Sequence, residues 1–379
     1  MTPPRIRVGV LGAGAIAQMM HLRYLHRHRD IFELVRVVDI SRALAAEVAA
    51  RFGAADASND PASLAAADVD AVVIATSGSH GAVAASLAQA GKHLLVEKPL
   101  CYTERESRDL AMARDRAGVV VQVGYMKRFD PAFRRARSLL ADGPAPHLVQ
   151  VTVLHPRERR YIQHHGVARA SDVPQATLTA LREEGRALAR EALGERPAWA
   201  LDMYTDVLLG SLVHDVNAVR NLVGEATRVA SARCWENGHA FTAVLDFGPA
   251  LVGTMSWCYF DDDLDYRETI GVHAAGRRLE LRFPSPYLEH AVTGLEVRAH
   301  DGAAVTTTAL DHGHVEAFEE ELLAFASCVR EETEPLTTVE DAAADIAVLR
   351  AMALSALDSG PVEVSTRGHP GPRGLPGTG

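Results

Sequence analysis

Cysteine is scarce in this chain: four in 379 residues, at positions 101, 234, 258 and 328. None forms a CxxC pair, so neither a disulfide framework nor a cysteine zinc site is expected, and the four read as buried thiols of a reducing compartment. Long apolar runs are missing too, which excludes a membrane-spanning helix. Near the N-terminus, Arg5 and Arg7 lead into a short strand pattern rather than a secretory leader, so the chain is expected to stay in the cytoplasm with no membrane partner. Basic residues are outnumbered, 39 Lys and Arg against 49 Asp and Glu, for a net charge of −10. That disfavours nucleic acid as a partner, and the most basic stretch, "KRFDPAFRRAR", reads as the solvated face of a helix. Histidine pairs such as His26/His28 and His312/His314 lack Cys or carboxylate neighbours at ligand spacing, so no metal site is expected.

What is present is enough chain for two cores. Over the first 125 residues strands and helices alternate. "RIRVGVL", "ELVRVVD" (33–39), "DAVVIAT" (70–76), "KHLLVE" (92–97) and "VVVQVG" (119–124) read as strands, with helices over 15–28, 41–52, 80–90 and 103–117 between them. This rhythm predicts a parallel sheet covered on both faces. Beyond Gly124 a helix (130–142) leads to an alternating strand (147–155), then to a charged helical segment near 172–195 and a helix over 203–223. Strand patterns follow at 227–236, 241–247, 250–260, 267–273, 277–283 and 294–299 on short connections, as an antiparallel sheet requires. Helices at 314–331 and 338–358 close the fold. The Pro/Gly-rich end reads as disordered. The expected domains are 1–125 and 126–360, with a helical insertion near 170–197 and a tail over 361–379.

The stretch "GVLGAGAIAQ" (9–18) places Gly12, Gly14 and Ala17 at the positions of G-x-G-x-x-G/A, after a predicted strand and at the start of a helix. The next strand ends in Asp39. Gly12 permits the tight turn, Gly14 lets backbone approach a pyrophosphate, and Ala17 lets helix and strand pack closely. The backbone of Ala15 and Ile16 lies at the helix start, whose unpaired N–H groups attract phosphate. Asp39 can accept hydrogen bonds from the adenosine ribose hydroxyls, which favours NAD; Arg42 nearby leaves NADP possible. A second stretch, "GKHLLVEKPL" (91–100), ends a strand in Glu97-Lys98-Pro99, and parallel strands present ligands at that end.

Together these residues resemble the Gfo/Idh/MocA oxidoreductases, with good motif agreement over about 5–130 and agreement in element order to about 360. "TSGSHGAVAASLAQAGKHLLVEKPL" and "VGYMKRFDPAF" are similar to the family's runs around its EKP motif and after its last cofactor-domain strand. The resemblance implies an N-terminal Rossmann domain, a doubly wound parallel sheet, followed by an α+β domain with an open, mostly antiparallel sheet. It implies that Thr76, His80, Glu97 and Lys98 line the nicotinamide end, that Lys98 touches substrate, and that His214 in "LLGSLVHDVNAVRNL" is the acid/base. Two positions depart from the pattern: Gly210 stands where the family carries an Asp four residues before the histidine, and Asn217 replaces a frequent Asp.

The implied activity is hydride transfer between NAD(P) and a secondary alcohol or ketone of a sugar, cyclitol or sugar conjugate, with His214 as base and Lys98 polarising the substrate oxygen. A redox-neutral hydrolase or epimerase using NAD transiently, and a non-catalytic cofactor-binding regulator, are the alternatives. Arg128 either faces the site or is salt-bridged at a helix start. Tyr161, His164 and His165 either bind polyol hydroxyls or belong to an exposed loop. The insertion is a lid or an arm to another subunit. Apolar residues on both faces of "VGTMSWCYF" predict a homo-dimer or homo-tetramer.

Overall fold

A computed structural model of the chain describes residues 3–261 and 265–365. Of the tail expected over 361–379, residues beyond 365 lie outside the described residues, whereas Val362–Glu363 forms a strand rather than a disordered end. The chain divides into two compact units. The first comprises the residues up to Phe129 together with Arg159–Ala192 and Glu316–Val339; the second comprises Asp130–Glu158, Leu193–Val315 and the chain from Glu340 on.

The first unit is built on six strands: β1 (Ile6–Leu11), β2 (Phe32–Val38), β3 (Asp56–Ser58), β4 (Ala71–Ile74), β5 (His93–Glu97) and β6 (Val121–Gly124). All pair in parallel, in the order β3-β2-β1-β4-β5-β6. This is the doubly wound arrangement, and it puts the carboxyl ends of β1 and β4 beside the crevice where such sheets bind ligands. β4 and β6 are buried throughout, as parallel strands covered on both faces must be. Local chemistry fixes the helix ends. Ser41 caps the helix Arg42–Phe52 by accepting from Leu44 N–H, and Gly53 ends it at φ 77°. Thr103 and Glu106 form a capping box on Glu104–Ala117. The helix after β1 departs from uniform α geometry: Ala17–His21 is π-helical and Leu22–Arg27 is α.

The second unit carries nine strands: β7 (Pro146–His155), β8 (Arg228–Trp235), β9 (Ala240–Asp246), β10 (Val252–Tyr259), β11 (Arg267–Ala274), β12 (Arg277–Phe283), β13 (Gly294–Asp301), β14 (Ala304–Leu310) and β15 (Val362–Glu363). Their order is β14-β13-β12-β11-β7-β10-β9-β8-β15. Every pairing is antiparallel except β10 with β7. One face is buried through Val149, Val151, Val153, Met255, Trp257, Ile270 and Val272. The other face of β10 is more polar than its sequence suggested: Thr254 and Ser256 are half-buried, with the Ser256 hydroxyl 3.1 Å from that of Thr242. β14 was not foreseen, because "AVTTTAL" is short, polar and exposed along almost its whole length. The expected helix over 203–223 begins at Ala198 and changes character along its length, α over Ala198–Asp202, π over Met203–Leu212 and α over Val213–Val223.

Candidate active site

The glycine turn is closed by backbone bonds from both neighbouring strands. Gly12 N–H donates to Val38 O (2.7 Å), and Ala75 N–H donates to Leu11 O (2.8 Å). Gly12 has φ 93°, and a Cβ there would lie 2.6 Å from the backbone of Ala75 and Thr76. Only glycine fits. Gly14 is the opposite case: it is exposed, and a Cβ would meet nothing within 4 Å. The turn is joined to the acid after β2, since Asp39 accepts from Ala13 N–H (2.8 Å) and from Ser41 N–H (2.9 Å). Ala15 and Ile16 form the first helical residues, both half-buried, and Arg42 is exposed at the start of the next helix.

At the ends of β4 and β5, His80 is 1% exposed and lies with one ring nitrogen 2.8 Å from Thr76 O and the other 2.8 Å from Pro99 O. It braces the loop after β4 against the loop after β5. Glu97 is buried and accepts a 2.7 Å hydrogen bond from His21, which stands in the π-helical turn. Burial pushes the Glu97 carboxyl up, but the His21 hydrogen bond and charge, with Lys98 and His80, outweigh it and hold Glu97 below its ordinary range. Lys98 is half-buried, and its backbone N–H donates to Glu97 (3.2 Å).

A further carboxyl lies in this unit. Glu321, on the helix Ala317–Glu331, is fully buried and neither of its side-chain oxygens has a hydrogen-bond partner among the described residues. Burial, then the charge of Glu97, drives it well above the ordinary carboxyl range.

In the second unit, His214 is half-buried at the start of Val213–Val223. Gly210 lies in the π-helical turns, where a Cβ would come 3.2 Å from Thr205 O. Asp206, in the same turns, accepts from the Thr205 hydroxyl (2.9 Å). Ser211, one turn before His214, accepts from the Trp257 indole N–H (2.8 Å) and lies 3.2 Å from Nε2 of His155. The His155 ring packs on Trp257 and edge-on to Tyr266, whose hydroxyl donates to buried Glu268 (2.6 Å).

Two matches to families of known proteins agree with this architecture. Residues 6–125 match "Oxidoreductase family, NAD-binding Rossmann fold", and residues 204–364 match "Oxidoreductase family, C-terminal alpha/beta domain". The chain belongs to the Gfo/Idh/MocA oxidoreductase family. Among relatives of this family, inositol 2-dehydrogenase 3 of Saccharopolyspora erythraea is 31% identical over 179 residues, 47% of this chain and 53% of the relative. The scyllo-inositol 2-dehydrogenase (NAD(+)) of Bacillus subtilis is 35% identical over 141 residues, 37% of this chain and 41% of the relative. The chain thus spans about half the length of the curated relatives it matches. A levoglucosan dehydrogenase solved in complex with NADH shares the fold, with a TM-score of 0.75 at 18% identity over 96% of this chain and all of that one.

The Gfo/Idh/MocA cradle fits NAD on its own geometry: the space over Gly14 is open where a pyrophosphate would approach, and Asp39 is fixed beside the turn, where its carboxylate would accept from a ribose. Gly12, Gly14, Ala15, Ile16, Asp39, Thr76, Glu97 and Lys98 all lie at the carboxyl ends of the parallel strands or in the turns after them. His80 lies there too, as a brace with both ring nitrogens on carbonyls. Arg128 is 5% exposed on the short helix Met126–Phe129 that follows β6. Tyr161 and His165 fold with the first unit. Tyr161 carries the Arg160 guanidinium over its ring (5.1 Å), and the His165 carbonyl accepts from Arg51 (3.4 Å). Asn217 is buried on the helix Val213–Val223 that carries His214. It donates both amide hydrogens, to Asp341 (3.0 Å) and Asp345 (2.8 Å). There it joins Arg220, which binds Glu225 through two bonds (2.6 and 2.7 Å) and also Asp345. Burial pushes the Asp345 carboxyl up to about 7, against the pull of Arg220.

Sequence reasoning missed His21, Glu321 and His155. His21 was legible as a histidine among Met19, Met20 and Leu22. The other two meet their surroundings only through the tertiary fold.

Proposed function

We propose that this chain is an NAD-dependent dehydrogenase, moving a hydride between the nicotinamide and a secondary alcohol or ketone of a cyclitol, sugar or sugar conjugate. The observation that carries this reading is the bond between Asp39 and Ala13 N–H, which locks the ribose-reading acid onto the glycine turn. The names of the relatives, inositol 2-dehydrogenases, support a polyol as the small-molecule substrate.

Bound NAD would supply the hydride acceptor or donor. Gly12, Gly14, the helix start at Ala15 and Ile16, and Asp39 would hold it. Lys98 would donate a hydrogen bond to the reacting oxygen and stabilise its alkoxide character. An ionised Glu97, kept so by His21, supports that ammonium. His214 would take the hydroxyl proton as general base. The reading also places the enzyme in the cytoplasm, supported by four cysteines that form no disulfide among the described residues, as a homo-dimer or homo-tetramer. Exposed Trp235, Val252 and Val305 on strands of the nine-stranded sheet support an assembly surface there.

The test is a panel of polyols and sugars followed by absorbance of the reduced nicotinamide. The parent should reduce NAD with at least one member. Lys98→Met should bind NADH as the parent does and lose turnover by about 100-fold or more, and His214→Ala should behave likewise. Turnover retained in Lys98→Met removes that lysine from the chemistry.

A further inference from the structure

The first unit includes a strap that the parallel sheet does not need. Residues 165–172 lie alongside the helices that follow β1 and β2, and three separate contacts pin them. Arg51 donates to the carbonyls of Gly166 (2.9 Å) and His165 (3.4 Å). Gln18 exchanges a pair of bonds with Ala168, donating to its carbonyl (3.0 Å) and accepting from its N–H (2.9 Å). Asp172 then sets its carboxylate on the start of the helix Arg42–Phe52, accepting from the Ser41 hydroxyl and from Ala43 N–H (3.1 Å). These bonds hold the Asp172 carboxyl below its ordinary range, the Ser41 hydroxyl contributing most.

Ser41 is two residues past Asp39. Its backbone N–H donates to Asp39 and its hydroxyl to Asp172, so two carboxylates converge on one residue. In this fold the acid closing the second strand reads the ribose 2′-hydroxyl, whereas a 2′-phosphate is received by the donors and cations just beyond it. Here the hydroxyl of Ser41 and the amide of Ala43 already have an anion on them. Exposed Arg42, the cation that alone would favour a phosphate, stands between those two donors.

We propose that Asp172 is a cofactor-specificity residue: delivered by the strap, its carboxylate occupies the donors that a 2′-phosphate would use and adds a second negative charge beside Asp39, so the chain takes NAD and rejects NADP. A phosphate entering this position would meet like charge and would have to displace the strap. The inference rests on the reading that the dinucleotide lies along Gly12, Gly14 and Asp39.

Calorimetric titration of the full chain with NADH and with NADPH tests it, using the parent, Asp172→Asn and Asp172→Ala. The parent should prefer NADH. Asp172→Asn removes the charge with little change in shape, and Asp172→Ala removes the side chain. Each should narrow the ratio of the two dissociation constants by about 10-fold or more, chiefly by tightening NADPH. Melting temperatures measured without nucleotide separate this from a loss of fold. A ratio unchanged in both variants, or equal weakening of the two nucleotides, would make Asp172 an anchor of the strap and overturn the proposal. A parent that binds both nucleotides equally overturns it as well, while leaving the dinucleotide reading intact. A parent that binds neither overturns both.

Discussion

A methyl group added at position 12 and one added at position 14 meet opposite surroundings. At Gly12 it would strike backbone at 2.6 Å in a left-handed conformation, whereas at Gly14 it would enter empty space. Gly12→Ala should therefore destabilise the fold itself, by about 2 kcal/mol or more, because neither the φ angle nor the Ala75 backbone can yield cheaply. Gly14→Ala should leave the nucleotide-free melting temperature within about 1–2 °C of the parent, since it touches nothing. It should nonetheless weaken NADH at least about 10-fold, because the added carbon stands where a pyrophosphate must approach backbone. Thermal melts without nucleotide and calorimetry with NADH read the two effects separately. NADH affinity unchanged in Gly14→Ala would mean that the open space has another purpose. Both glycines, and the turn-making part expected of Gly12, were legible in the sequence; what it did not give is the physical cause at Gly12, the backbone of Ala75 and Thr76 packed where a Cβ would stand.

The helix Ala317–Glu331 presents an apolar stripe through Phe318, Leu322, Phe325 and Ala326, and Glu321 sits buried within it. A carboxyl whose folded pKa lies above its unfolded value binds its proton more tightly in the native state, so its stabilising contribution is complete below the unfolded pKa, near 4.5, and is lost as pH rises. Above that value the parent should lose up to about 1.4 kcal/mol per pH unit relative to a residue that does not titrate. Glu321→Gln and Glu321→Leu should both gain melting temperature over the parent, by a margin that widens from pH 5 to pH 8. A margin that stays constant with pH would show that Glu321 does not hold its proton. This burial could not be read along the chain, where Glu321 looks like one member of an acidic run with Glu319 and Glu320. At the scale of elements the sequence was most readable where local chemistry decides. The buried runs of β1 and β4 announce themselves within a few residues. It was least readable where the signal is absent or distant. β14 has no apolar alternation, the π-helical turns before His214 leave no mark in the spacing, and Asp172 meets Ser41 across 131 positions.

For the molecule as a whole, the order of elements along the chain differs from the order in which they are needed. The first unit is assembled from three separate stretches, and the last of them bonds to its sheet. Gln122 donates to Glu321 O (2.9 Å), and Val123 both donates to and accepts from Thr337 (3.0 and 2.6 Å). Glu319 accepts from His28 (2.6 Å), and Phe318 stacks edge-on to the His21 that holds Glu97. A chain ending near residue 130 contains the complete cofactor motif and every strand of the parallel sheet, yet it leaves these groups without partners and exposes the apolar surface that Phe318, Leu322 and Phe325 cover. Residues 1–130 alone should therefore fail to unfold cooperatively on heating. The same fragment joined through a flexible Gly/Ser linker to residues 314–339 should regain a cooperative transition, because closing a long loop costs little, only about 0.6 kcal/mol for each doubling of its length, against the contacts restored. Circular dichroism melts of the two fragments make the comparison. A cooperative transition in the short fragment at the temperature of the joined one would show that the amino-terminal sheet is self-sufficient and that Ala317–Glu331 only decorates it. If the helix is required, the geometry around Glu97 and Lys98 is a product of both ends of the chain.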